Sequence, residues 1–197
     1  MTDDAMVALV AFAFVTSITP GPNNLMLMAS GANFGLRRTV PHMLGVALGF
    51  VFMAIVVGVG LAQVFVAIPA LYGLLKAASV LYLLYLAWQI ATAAPPGEAT
   101  RAGRPMTFLA AAAFQWVNPK AWAMALTAVS VYAPSQSVAG VGAVAIIFGL
   151  VNLPSVGVWA ALGQQMRRVL TSPGRMRAFN VTMAVLLVGS LVPVLAH

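Results

Sequence analysis

The chain has 197 residues, 62% of them hydrophobic and only 7% charged, against about 25% charged in an average soluble domain. So little charge cannot cover the exterior of a water-soluble fold, which excludes a soluble globular protein. The net charge of +7 does not point to nucleic acid, because the ten Lys and Arg residues are scattered between apolar runs. With no cysteine, disulfides, thiolate metal sites and cysteine nucleophiles are excluded as well.

A helix crosses a bilayer with roughly 20 mostly apolar residues. Six such stretches follow one another, at 5–32, 40–66, 70–93, 106–133, 138–164 and 178–195. The period-2 alternation of a barrel strand is absent. The expected fold class is an all-α integral membrane protein of six transmembrane helices, one transporter domain over 1–197. The segment before the first span, Met-Thr-Asp-Asp, is acidic rather than basic, so that span is expected to be retained and not cleaved as a signal peptide.

The first span is interrupted by Thr19-Pro20-Gly21-Pro22-Asn23-Asn24, and Arg37 and Arg38 follow it. The second carries His42 near its start and a Gly45/Gly49 step, a spacing that, like Gly31/Gly35, usually means close helix packing. The third contains Lys76 and is followed by Arg101 and Arg104. The fourth is interrupted by Gln115-Trp116-Val117-Asn118-Pro119-Lys120. The fifth is followed by Arg167, Arg168, Arg175 and Arg177. The loops after the second and fourth spans hold no Arg or Lys, so the three basic loops are expected in the cytoplasm and both termini outside.

The two interruptions correspond, since Pro20 and Pro119, Gly49 and Gly149, and Lys76 and Arg177 all recur at an offset near 100. This spacing predicts a 3+3 inverted repeat, with repeat one at 1–96, a cytoplasmic linker at 97–105, repeat two at 106–197, and helices 1 and 4 broken. Pro20, Pro22 and Pro119 lack the N–H that would bond the carbonyls of Thr16, Ile18 and Gln115. In hydrocarbon such carbonyls are tolerated only where protein or a wet cavity satisfies them. Beyond each break a new half-helix is expected to start, at Gly21-Pro22 and at Asn118-Pro119, with its free N–H groups and positive dipole end turned toward the break. Segments 19–24 and 117–120 are therefore expected to be non-helical or kinked and to lie together. Such a site offers N–H donors to an anion and bare carbonyls to a cation, the two groups of a zwitterionic amino acid.

On these residues the chain resembles the LysE/RhtB family of bacterial amino-acid exporters. The resemblance rests on Thr19 to Leu25, on Asn118-Pro119-Lys120-Ala121, on Gly31, Gly35, Gly45 and Gly49, and on Leu75-Lys76-Ala77 with Tyr82 to Trp88. Within the family, Ala87 to Thr92 and Ala113 to Asn118 are most similar to the cysteine/O-acetylserine exporter branch. Val131 to Gln136 stands where many members have a Pro-Gln-Phe segment, and Asn180 where a glycine is common, which leaves the substrate open. The resemblance implies six helices, a bacterial cytoplasmic-membrane location, and export of a small amino acid or close derivative driven by the proton-motive force. Protons would then be the coupling ion, with a homodimer as a further expectation and no cofactor. The rival readings are a non-transporting membrane scaffold or a channel.

The expected substrate-binding residues are Pro20, Gly21, Pro22, Asn23, Asn24, Gln115, Asn118, Pro119 and Lys120. The only side-chain carboxylates, Asp3, Asp4 and Glu98, lie outside the spans, so Lys120 has no acidic partner in the membrane. A lysine at such depth is by default functional, and Lys120 reads as the anchor for a substrate carboxylate. On that reading Lys120→Met inserts at least as well as the parent yet loses transport. Lys76 reads either as a snorkelling residue or as a gate. His42 reads either as an interfacial or capping residue or as the proton-coupling group. Without a histidine cluster or paired carboxylates in the spans, neither an enzyme nor a divalent-metal site is expected.

Overall fold

The computed structural model describes residues 2–61, 63, 67–68, 70–93, 104–133, 137–192 and 195, Tyr72 by its backbone alone. The helices are α1 (Asp3–Ile18), α2 (Pro22–Phe34), α3 (Leu36–Val56), α4 (Ala70–Ala91), α5 (Phe108–Phe114), α6 (Pro119–Tyr132), α7 (Val138–Met166) and α8 (Pro173–Gly189). No strand occurs among the described residues. The ends of the second and sixth spans, most of the 97–105 linker and Pro134 to Gln136 fall outside or partly outside them.

Local chemistry sets the helix starts. The side chains of Thr2, Thr107, Ser137 and Ser172 each accept from a backbone N–H three residues on, at Ala5, Ala110, Gly140 and Arg175. Asp3 and Asp4 then sit in the first turn of α1, where negative charge suits the helix dipole. Pro22, Pro119 and Pro173 all occupy the first turn of their helices, where a missing N–H costs nothing.

Among the described residues, three helices are long and apolar enough to cross a membrane, Leu36–Leu61 (α3 with the π-type turn Val57–Leu61), Gly73–Ala91 and Val138–Met166. Helices α1 and α2, bent by 56° at the break between them, qualify together as a fourth. Two boundaries differ from the sequence expectation. The connection after α2 is Gly35 alone, in a left-handed conformation (φ 83°), so Arg37 and Arg38 lie in the first turn of α3 rather than in a loop. Helix α8 starts at Pro173, five residues before 178, because the Ser172 cap and Pro173 begin a helix regardless of the charges on Arg175 and Arg177.

Close approach of backbones ties the bundle together. A Cβ on Gly31 would lie 2.1 Å from the Ala160 carbonyl oxygen, and one on Gly163 would lie 2.0 Å from that of Met28, so α2 and α7 pack backbone to backbone. Gly45 and Gly49 do the same for α3 against Phe108, Ala111 and Ala112 of α5. Gly35 differs from this packing pattern, serving as the turn between α2 and α3. One apolar core, with Leu9, Phe50, Met53, Ala125 and Phe148, joins α1, α3, α6 and α7. A second, with Leu25, Leu83, Phe114, Met176 and Leu187, joins α2, α4, α5 and α8.

Candidate functional site

Both expected breaks are present. Thr19 precedes a proline and is extended (φ −66°, ψ 146°), which stops α1. Asn118, also before a proline, is extended after a 3₁₀ turn at Gln115–Val117. The first break is narrower than 19–24, since Pro22, Asn23 and Asn24 already belong to α2. The second reduces to the 3₁₀ turn and Asn118, with Pro119 and Lys120 opening α6. Asn118 caps α6 as expected, its Oδ1 accepting from the Lys120 backbone N–H at 3.2 Å. Helix α2 starts without a side-chain cap.

The released carbonyls each meet a donor from the protein. At the first break, Thr16 O accepts from the Thr19 hydroxyl at 3.1 Å. The Asn24 amide donates to Ser17 O at 2.8 Å and to Thr19 O at 2.7 Å. Ile18 O accepts from the Trp159 indole at 3.0 Å. The Lys120 ammonium reaches Thr19 O at 2.8 Å, Thr19 Oγ1 at 3.0 Å and Pro20 O at 3.3 Å. At the second break, Gln115 O takes the Asn118 N–H at 3.3 Å. Trp116 O takes the Trp122 indole N–H at 2.9 Å.

Lys120 thus sits in the positive first turn of α6 while its head group lies at the carbonyl end of α1, where positive charge is favoured. The carbonyls expected to stay bare, those of Thr16, Ile18 and Gln115, are filled by the Thr19 hydroxyl, the Trp159 indole and the Asn118 N–H, while the lysine takes the oxygens of Thr19 and Pro20. Gly21 makes room for it. A Cβ there would lie 2.8 Å from Lys120 Cδ and 3.1 Å from Nζ.

The breaks are also joined by a reciprocal amide pair. Asn23 Nδ2 donates to Gln115 Oε1 at 2.9 Å, and Gln115 Nε2 donates to Asn23 Oδ1 at 3.2 Å and to Ala111 O at 2.9 Å. Around this pair lies a cavity with about 330 Å³ of empty space, counted to its open mouth. Gly21, Asn23, Asn24, Gln115, Asn118 and Lys120 line it, while Pro20, Pro22 and Pro119 shape the breaks without lining it. The remaining wall comes from Thr16, Ser17, Val46, Phe50, Ala121, Met124, Asn152 and Val156.

Thr16 and Ser17 of α1 and Asn152 of α7 are the polar members outside the predicted set, the last two joined by a 2.9 Å hydrogen bond from Asn152 Nδ2 to Ser17 Oγ. The available signal was an amide in the middle of a mostly apolar helix. His42 and Lys76 do not line the cavity. His42 is 1% exposed and neither ring nitrogen has a hydrogen-bond partner among the described residues, so it is not a capping or interfacial residue. Its position two turns inside α3, which begins at Leu36 rather than near 40, is the reason. Lys76 is half-buried on α4. Asn180, away from the cavity, makes a reciprocal amide pair with Asn33 (2.8 and 3.1 Å) that links α8 to α2.

Residues 14–194 match the family described as LysE type translocator. The chain is 31% identical to the cysteine/O-acetylserine efflux protein of Escherichia coli K12, over 190 residues covering 95% of this chain and 96% of the relative. It is equally similar, over the same shares, to the protein of that name from Shigella sonnei Ss046. A third, from Escherichia coli O139:H28, is 30% identical. No solved structure matches.

Proposed function

Because this chain belongs to the family of LysE-type translocators, a multi-pass membrane protein of an amino-acid efflux family, we propose that it exports cysteine, O-acetylserine or a closely related small neutral amino acid. Six spans in two inverted halves, 1–96 and 106–197 about the 97–105 linker, would form one transporter in the bacterial inner membrane, with termini outside. The proton-motive force would drive it, and a homodimer would be its assembly. The substrate comes from the activity for which the relatives are named; the orientation comes from the arginine distribution.

The observation that carries the reading is the meeting of Lys120 with the α1–α2 break beside a polar cavity. The ammonium has three donors, and all three face protein oxygens. A substrate carboxylate would replace the two longer contacts, the Thr19 hydroxyl and the Pro20 carbonyl, while Thr19 O keeps the third. The first-turn N–H groups of α2 and α6 would add their positive ends to the same anion. Asn23, Asn24, Gln115 and Asn118 would hold the cavity wall in register. His42, buried with no partner among the described residues, is the candidate for proton coupling, and Lys76 for gating.

The test is counterflow in proteoliposomes preloaded with unlabelled cysteine or O-acetylserine. Labelled substrate should accumulate transiently against its gradient, and an imposed proton gradient should drive net transport. A scaffold accumulates nothing, and a channel equilibrates without overshoot; either result ends the reading.

A further inference from the structure

A zwitterion held by its carboxylate at Lys120 carries an ammonium on the adjacent carbon, and that group also needs an acceptor. Thr19 O keeps Asn24 and Lys120 as donors, and Pro20 O, released when the carboxylate takes the lysine, can accept from only one of the ammonium's three N–H groups. Gln115 Oε1 and Asn23 Oδ1 are engaged with each other's amides. Among the described residues, the buried side-chain polar atoms with no partner are Asn152 Oδ1 and the two nitrogens of His42, and of these two residues only Asn152 lines the cavity.

Asn152 is 4% exposed. Its Nδ2 donates to Ser17 Oγ, which leaves Oδ1 on the other edge of the amide. An unpaired buried carbonyl oxygen loses free energy relative to one that is bonded, so a buried acceptor beside a polar cavity is an arrangement that a ligand donor would complete. A neutral amide suits an export site, because it accepts from an ammonium without binding it as tightly as a carboxylate would.

We propose that Asn152 is a substrate-binding residue whose Oδ1 accepts a hydrogen bond from the α-ammonium, so that Lys120 and Asn152 read the two charged groups of one amino acid. This rests on the amino-acid export reading above.

The test compares L-cysteine with 3-mercaptopropionate, the same molecule without its ammonium, as competitors of labelled cysteine counterflow by the purified full chain. Wild type should prefer cysteine by about tenfold or more, the worth of one hydrogen bond to a charged group. Asn152→Leu should lower cysteine to the level of 3-mercaptopropionate while leaving the latter unchanged. Asn152→Asp can still accept from the Ser17 hydroxyl and still offers an oxygen, so it should keep cysteine and disfavour 3-mercaptopropionate further. Equal losses for both competitors in either variant would mean that Asn152 only supports the fold, and an unchanged preference in Asn152→Leu would likewise overturn the proposal. Absence of counterflow with every amino acid in wild type would instead overturn the export reading, and this one with it.

Discussion

The Lys120 ammonium lies 2.8 Å from the carbonyl oxygen of Thr19, a residue 101 positions away. One side chain thereby closes the carbonyl end of a broken helix and supplies, among the described residues, the only positive side chain on the cavity wall. On the export reading, structural and functional roles are fused in it.

That fusion revises the sequence-based expectation that Lys120→Met would insert at least as well as the parent. Methionine leaves Pro20 O without its donor, while Thr19 O keeps Asn24. A loss of about 1–3 kcal/mol is expected, the cost of an orphaned polar group, together with loss of export. Thermal denaturation in detergent, paired with efflux at matched membrane levels, checks both. Wild-type export by Lys120→Met would remove the anchor role.

Gly21→Ala separates the two roles. The backbone there is extended (φ 179°), which alanine adopts freely, so the added Cβ acts only by pushing the flexible lysine chain aside. Stability should fall by less than about 1 kcal/mol, because the lysine can swing away, yet transport should drop severalfold. A variant with full activity would mean that the lysine's position over the break is unimportant.

Asn118→Ala removes the cap of α6 and should cost about 1 kcal/mol. The start of α6 carries Lys120, so apparent substrate affinity should weaken along with stability. Asn118→Ser, which retains a capping oxygen, should recover most of both in the same melting and counterflow assays.

Glycines provide a contrast independent of any substrate. Gly163→Ala would drive a Cβ to 2.0 Å from the Met28 carbonyl oxygen, so α2 and α7 must separate, at an expected cost of about 1–3 kcal/mol. A Cβ on Gly142, in the same helix, would meet nothing within 4 Å, and Gly142→Ala should be neutral or stabilising by up to about 1 kcal/mol. Melting temperatures of the two variants should move apart; a similar shift would refute the close contact.

Cysteine substitutions at Arg101 and Ser135 test the orientation. Impermeant maleimide added to intact cells should label position 135 and spare position 101. The reverse pattern would invert the proposed topology.

Much of the site is legible in the sequence because proline and asparagine act locally. Pro20 and Pro119 dictate where helices stop, and Asn118 announces where one restarts, without any knowledge of distant contacts. The partners of the freed oxygens are not legible in the same way. Trp159 reaches Ile18 O across 141 positions, and Asn152 reaches Ser17 across 135. Each sits alone in α7, whose apolar run gives no sign of what its few polar groups face. The start of α8 escapes for another reason. Counting apolar residues skips Arg175 and Arg177, although Ser172 and Pro173 already specify a helix there.

The order in which the chain is made gives the first break a history. Translation delivers the N-terminal part first, so the oxygen of Ile18 is made 141 residues ahead of the indole that satisfies it, and that of Pro20 100 residues ahead of the ammonium. Until the ribosome has passed residue 159, water or the insertion machinery must stand in for those donors. A chain truncated after α4 would carry these two oxygens permanently unfilled, a ready signal for membrane quality-control proteases.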